Sequence, residues 1–404
     1  MEDRARSKLL YLNHSKYKSA SLATTPEIVN NFKPIDSEKK YYFAPPRLYT
    51  SLINMKVKNI VMFNAIFLSS LILLSNCSQS NSISKPAKKD TVKTVAVTPA
   101  DTVPKPVVYP PLNKPLYDSL MKRLAHGDTT GKWPVKNTPY PLPGAILPFK
   151  RVVAFYGNLY AKKMGILGEL PPNEMLAKLK GEVKNWEKAD PQTPVQPALH
   201  YIAVVASGSP GKDGKFRNRM PFKQIDSVLK LAKKAHAIVF LDIQVALSNI
   251  HAELPLLEKY WIMPNVHFGM DPEFSMKDGS HPGKKIGTYD AADINYVSAY
   301  LTNLVKKYNL PPKILIVHRF TKKMVTNYQN IKLHPEIQLV MDMDGWGEPD
   351  LKTGTYRYFI HNEPVQFTGY KLFYKNDIKK APHHMLTPTE VLKYKPYPIY
   401  IQYQ

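Results

Sequence analysis

Two short acidic repeats stand out in this 404-residue chain. Asp271-Pro272-Glu273 follows the apolar run that begins at Val266, and Asp342-Met343-Asp344 lies inside the run Leu339 to Trp346. In an extended chain residues two apart share a face, so each repeat sends two carboxylates one way and Pro272 or Met343 the other. Carboxylates packed closely push one another's pKa values apart, which leaves one protonated near neutral pH and another ionised. Hydrolysis of a glycosidic bond needs that equipment: an acid to protonate the leaving oxygen and a second group to stabilise or attack the sugar cation. Glu273 is the expected acid, because its longer side chain reaches furthest, with Asp271, Asp344 and Asp242 completing the catalytic set. Each has a plainer reading too, Asp242 as a loop cap and Asp271 with Glu273 as a salt-bridged pair.

Other polar residues fall at the same ends of apolar runs. Tyr156, Glu169, His318, Arg319, Asp342, Trp346, Tyr374 and Gln402 are the expected substrate-binding residues. Trp346, between Gly345 and Gly347, reads as a loop indole able to stack on a sugar ring. The loop from Lys212 to Arg219 reads as a solvated loop or as a basic lip for an anionic substrate.

What must position these groups is an alternation of short β-rich runs with helical stretches. The runs are Val152 to Tyr156, Tyr201 to Ala206, Ala237 to Val245, Val266 to Phe274, Ile314 to Phe320, Leu339 to Trp346, Phe367 to Tyr374 and Tyr397 to Tyr403. Between them lie helical stretches at Asn173 to Glu187, Pro221 to His236, His251 to Tyr260, Ala291 to Tyr308, Thr321 to Gln329, Asp350 to His361 and Pro388 to Lys393. Eight strands alternating with seven helices predict an α/β fold, a (β/α)8 TIM barrel over residues 149–404, with its chemistry at the carboxyl ends of the strands. The eighth helix is missing, and Leu116 to Ala125 is expected to cover that gap. A doubly wound open sheet would show a glycine-rich turn after its first strand, which Gly157-Asn158-Leu159 is not.

The rest of the chain reads as delivery. Met55-Lys56-Val57-Lys58 is a basic start, Ile60 to Leu74 a largely apolar run shorter than the ~20 residues of a spanning helix, and Leu74-Ser75-Asn76-Cys77 its close. That layout resembles the lipobox of bacterial lipoproteins, in which the cysteine becomes the lipidated first residue. The resemblance implies a signal peptide at 55–76, lipidation at Cys77 and, from Ser78, an outer-membrane address in the cell envelope. Residues 1–54 are then a spurious or disordered extension. Residues 77–148, rich in Ser, Thr, Pro and Lys, read as a linker with one short helix. Cys77 is the only cysteine, which excludes internal disulfides and cysteine-based zinc sites. The net charge is +24, of which residues after Asn76 carry +18, favouring anionic partners such as acidic glycans.

Val153-Ala154-Phe155-Tyr156, Gly269-Met270-Asp271-Pro272-Glu273 and Val340-Met341-Asp342-Met343-Asp344-Gly345-Trp346 resemble the chitinase-type barrels of glycoside hydrolase family 18, and more faintly the family 25 lysozymes. The resemblance implies that Glu273 is the acid, Asp271 orients the substrate acetamide and Asp344 is the sixth-strand aspartate. The chain departs from it at Met343, where a tyrosine is usual, and at Gln402-Tyr403, where a tryptophan is. The expectation is an envelope-anchored, monomeric hydrolase of a polysaccharide or cell-wall glycan, with no cofactor, no metal and no nucleic-acid partner. A non-catalytic glycan-binding or scaffolding lipoprotein is the alternative. A metal-dependent phosphodiesterase using Asp242, Asp271, Glu273 and Asp342 is the third reading, set back by the lack of an evident His pair.

Overall fold

The structure is a computed structural model that describes residues 108–404. The expected extension at 1–54, the signal at 55–76 and lipidation at Cys77 lie outside these residues.

Eight strands form the centre: β1 Arg151–Gly157, β2 Val195–Ala206, β3 Ile238–Ile243, β4 Val266–Met270, β5 Lys313–Arg319, β6 Ile337–Met343, β7 Phe367–Leu372 and β8 Tyr400–Tyr403. Each pairs in parallel with the next, and β1 pairs with both β2 and β8, so the sheet closes into the expected (β/α)8 barrel. Strands covered on both faces read as continuous apolar runs, and all seven residues of β1, β5 and β6 are buried. Alternation divides their side chains. Val153, Leu199, Val239, Phe268, Leu315, Leu339 and Ile401 face outward into the layer shared with the helices, while Val152, Ala154, Ala198, Phe240, Ile316, Val340 and Phe367 face inward. The inward set is apolar only in the amino-terminal half of the barrel.

The helices depart from expectation where specific residues oppose them. Pro172–Ala189 follows β1, Phe222–Lys234 follows β2, and Ala291–Tyr308, opened by a capping box between Asp290 and Asp293, precedes β5. After β3 the chain makes three short turns, Ile250–Glu253, Leu254–Leu257 and Glu258–Trp261, broken by Pro255. No α-helix forms over 321–329, only the 3-10 turns Lys322–Met324 and Tyr328–Asn330. Arg319 donates to the carbonyls of Thr321, Lys322 and Val325, and Asn327 takes a left-handed φ of 55°. The short strand Val325–Thr326 between them pairs instead with Tyr289–Asp290. Pro349–Tyr356, continued by a π turn, follows β6, and only one turn, Pro388–Val391, precedes β8.

The amino-terminal mouth of the barrel is plugged. Helix Lys114–Ala125, opened by Asn113, buries Tyr117, Met121 and Leu124 against Val152, Ala154, Phe367 and Ile399. Each such side chain contributes roughly 1.5–3 kcal/mol of burial. Tyr397 N donates to Leu124 O at 2.7 Å, and the His126 and Tyr397 rings stack at 3.9 Å. Gln338 accepts from the backbone of Ile146 and Leu147 at 3.0 and 3.1 Å. The helix therefore seals the barrel end rather than covering the missing eighth helix. Composition assigned 108–148 to the linker because its prolines exclude long helices, yet its apolar residues are spent on the barrel floor.

Candidate functional site

The upper half of the barrel interior is polar. Its layer is built by the same alternation: Tyr156 on β1, His200 on β2, Asp242 on β3, His318 on β5, Asp342 on β6, Lys371 on β7, and Tyr400 and Gln402 on β8. All are buried. Glycine supplies room at two points. A Cβ on Gly269 of β4 would lie 2.5 Å from His200 Nε2, and one on Gly369 of β7 would lie 2.4 Å from Asp342 Oδ1. The carboxylate and imidazole occupy the space that any other residue would fill.

Asp242 sits at the centre. It accepts from Tyr156 Oη at 3.0 Å, and its Oδ2 lies 3.4 Å from His318 Nε2 and 3.7 Å from His200 Nε2. Burial pushes its carboxyl up, but the His318 and His200 imidazoles and the Tyr156 hydroxyl outweigh that and hold it at about 2. On the far side of His318, Nδ1 is 3.3 Å from both Asp342 Oδ2 and Asp344 Oδ2. Burial opposes a charge on His318, yet Asp242 and Asp344 win and lift its pKa well above the ordinary histidine value. His200 goes the other way, held neutral at about 3, chiefly by burial. Its Nδ1 meets Tyr400 Oη at 2.6 Å and Gln402 Nε2 at 3.0 Å.

The acids at the mouth split. Asp344 is ion-paired with Lys371, Nζ to Oδ1 2.8 Å, and against the effect of burial Lys371 and His318 hold its pKa below the usual carboxylate range. Lys371 also lies 3.9 Å from the centre of the Tyr156 ring. Asp342 is raised by burial despite its contact with His318.

Asp271 and Glu273 do not lie on a strand. β4 ends at Met270, and Asp271 Oδ1 caps the 3-10 turn Pro272–Phe274 by accepting from Glu273 N at 3.0 Å. Pro272 has no N–H for the ladder and starts that turn, so strand alternation does not govern the pair. The other Asp271 oxygen accepts from Gln244 at 3.1 Å, and burial leads in raising its carboxyl to about 7. Glu273 is half-buried, and its carboxylate makes no hydrogen bond or ion pair among the described residues. Burial, then the charges of Asp271 and Asp344, push it up to about 8.

Four expected binding residues do not join this layer. Arg319 faces outward, and its buried guanidinium pins the β5 loop by donating to backbone carbonyls and to Glu363. Tyr374 donates to Glu182 at 2.7 Å and stacks on Tyr403 at 5.3 Å, between the barrel and its first outer helix. Glu169 pairs with Lys375 at the surface. Gln402, by contrast, belongs to the layer, 3.0 Å from His200 Nδ1 beneath the mouth. Trp346 is half-buried in the loop after β6, with Lys379 5.6 Å from its ring. In the basic loop, Arg217 and Arg219 are committed to Glu253, at 2.8 and 2.7 Å. Phe216 stacks on His281 at 4.1 Å, joining the loops after β2 and β4.

Sequence reasoning missed His200, Lys371 and Tyr400. The apolar run begins at Tyr201, whereas the strand starts at Val195 and passes through Gln196 and Pro197, which are weak strand formers. Extending the alternation Ile202, His200, Ala198 backwards would have found the histidine. Lys371, a lysine in phase with Phe367 in an otherwise apolar run, carried the same signal.

No protein-family model matches the sequence, so the family 18 and family 25 resemblance gains no support, and no curated protein matches it either. Among solved structures the chain is similar to Cellulase Cel5C_n, at 13% identity over 58% of this chain and 66% of that one, TM-score 0.31. It is also similar to a GH5-4 broad specificity endoglucanase from an uncultured bacterium, at 9% identity over 55% and 77%, TM-score 0.27. A hyperthermophilic endo-beta-1,4-glucanase in complex with substrate follows, at 10% identity over 52% and 77%, TM-score 0.28. The chain spans just under two thirds of the first of these. At this distance no residue role passes from them to this chain.

Proposed function

We propose that the barrel is a glycoside hydrolase-like enzyme acting on a polysaccharide, with Glu273 as general acid and Asp344 as the ionised partner. The observation that carries this reading is the split between the two. Glu273 stands at the mouth without a partner among the described residues and holds its proton at neutral pH, whereas Asp344 is ion-paired with Lys371. Glu273 donates its proton to the leaving glycosidic oxygen as the bond to the anomeric carbon breaks. Asp344 supplies negative charge for the oxocarbenium character that develops, and water completes the hydrolysis. Gln244 holds Asp271 in place, Tyr156 holds Asp242, and Trp346 offers an indole beside the mouth. Attachment to the envelope through Cys77 belongs to the same reading.

The test is hydrolysis of chitin oligomers, peptidoglycan, β-glucans and acidic glycans by the purified chain and by Glu273→Gln. Cleavage by the parent, lost in the variant, supports the enzyme reading. A second reading, a non-catalytic glycan-binding protein, is favoured by the burial of Asp242, Asp271 and Asp342. It predicts equal glycan binding by both forms and cleavage by neither.

A further inference from the structure

We infer that His200, Asp242 and His318 form a binding site for one divalent transition-metal ion, with zinc as the best-fitting ion. The three come from three strands of the barrel and each is wholly buried. One ligand atom from each, the imidazole nitrogens and a carboxylate oxygen, lies within 4.8 Å of the others. The Asp242 Oδ2 separations of 3.4 Å from His318 Nε2 and 3.7 Å from His200 Nε2 are near the roughly 3.3–3.5 Å between neighbouring ligands held 2.0–2.2 Å from a tetrahedral ion.

A second and independent observation is what these atoms lack. His200 Nε2, His318 Nε2 and Asp242 Oδ1 are buried without a hydrogen-bond partner. A buried polar atom left unpaired costs about 1–3 kcal/mol, and among the described residues these are the two imidazole nitrogens that face Asp242 Oδ2 and the second oxygen of the same carboxylate. A cation gives them a common partner. Gly269 keeps the space beside them open, since a Cβ there would lie 2.5 Å from His200 Nε2 and 3.0 Å from Asp242 Oδ1.

The outer contacts are those a metal site uses. A ligating histidine commonly donates its other ring N–H to a carboxylate or similar acceptor, which fixes the tautomer and aims the lone pair at the ion. His318 Nδ1 faces Asp342 and Asp344 at 3.3 Å each, which keeps a proton there, and the second imidazolium proton, at Nε2, leaves as the ion binds. His200 Nδ1 meets Tyr400 Oη at 2.6 Å, and Tyr156 Oη holds Asp242 at 3.0 Å. Two imidazoles and one carboxylate suit zinc or another first-row transition ion better than calcium or magnesium, which prefer all-oxygen sets. The inference stands apart from the glycan reading, because the ligands lie in the buried layer and exclude Glu273.

The test is direct. The full chain is stripped with a chelator, titrated with zinc sulfate by calorimetry, and assayed for bound metal after dialysis. One zinc per chain is expected, with affinity reduced at least tenfold in His200→Gln and in His318→Gln and unchanged in Glu273→Gln. Cobalt(II) substitution of the wild-type chain covers the case in which the histidine variants fail to fold. The strong visible absorption of a four-coordinate cobalt ion is expected. Zinc that binds the histidine variants as well as the parent, absence of stoichiometric zinc, or only the weak absorption of a six-coordinate cobalt ion would each overturn the site.

Discussion

Lys371 and Asp344 form an ion pair, 2.8 Å from Nζ to Oδ1, at the carboxyl ends of the barrel strands, where both side chains are almost fully shielded from water. Removing one partner of a buried pair leaves an uncompensated charge. Lys371→Met is therefore expected to lower stability by about 3–5 kcal/mol, read from urea unfolding. Its loss of hydrolysis should exceed what unfolding explains at temperatures where the variant remains folded.

The Glu273 carboxyl, lifted to about 8 by burial and by Asp271 and Asp344, gives the pH dependence its sign. A general acid works while protonated, so hydrolysis should fall as pH rises through about 8. Glu273→Gln should remove about 10²–10⁴-fold of the rate and abolish that alkaline limb. A limb that survives the substitution would assign it to another group.

Lys313 predicts a trend of opposite direction in stability. Its ammonium is buried at the start of β5, donates to Met263 O and Val266 O, and is pushed down by burial from 10.5 to about 7. Between those values the unfolded chain binds a proton that the folded one does not, so stability rises with pH across that window. The difference in unfolding free energy between the parent and Lys313→Met should grow from pH 7 towards pH 10. A constant difference would sink the assignment.

Tyr374 and Arg319 separate positioning from support. Tyr374→Phe forfeits one hydrogen bond to Glu182, about 0.5–1.5 kcal/mol, and should leave glycan turnover unaltered. Arg319→Met, which strands Glu363, three carbonyls of the β5 loop and Phe359 O, should cost more in stability while leaving substrate affinity intact in the folded fraction. Melting curves beside Michaelis constants distinguish the two outcomes.

The plug at the amino-terminal mouth carries a fifth expectation. Leu124→Ala should cost about 2–5 kcal/mol, the range of a buried leucine rather than of a linker residue, measured by chemical unfolding.

The barrel was legible because closed parallel strands are buried on both faces, so runs such as Val152 to Tyr156 and Ile314 to Phe320 announce themselves by composition. Asp242, His318, Asp342 and Asp344 were legible as one polar cluster for a related reason: an inward-facing polar residue near the end of such a run can only join the polar upper half of the barrel interior. Strand ends were less so. Pro272 turned Asp271 and Glu273 out of the sheet, and Pro197 hid the start of β2 with His200. Arg319, adjacent to His318, was drawn into the site by sequence proximity, although alternation sends adjacent strand residues to opposite faces. What a run of prolines between 108 and 148 concealed was tertiary. No local pattern states that a short helix will find the open end of a barrel formed later in the chain.

The pairing of β1 with β8 has a consequence for how the protein is made. The two strands are separated by about 240 residues, which at 5–20 residues per second is roughly 12–50 s of synthesis. For that interval one edge of β1, an apolar strand with unsatisfied amides and carbonyls, waits beside a growing chain for its final neighbour. Until then the sheet is open along that edge, and the pairing of Val153 with Ile401 and of Phe155 with Tyr403 is what closes it.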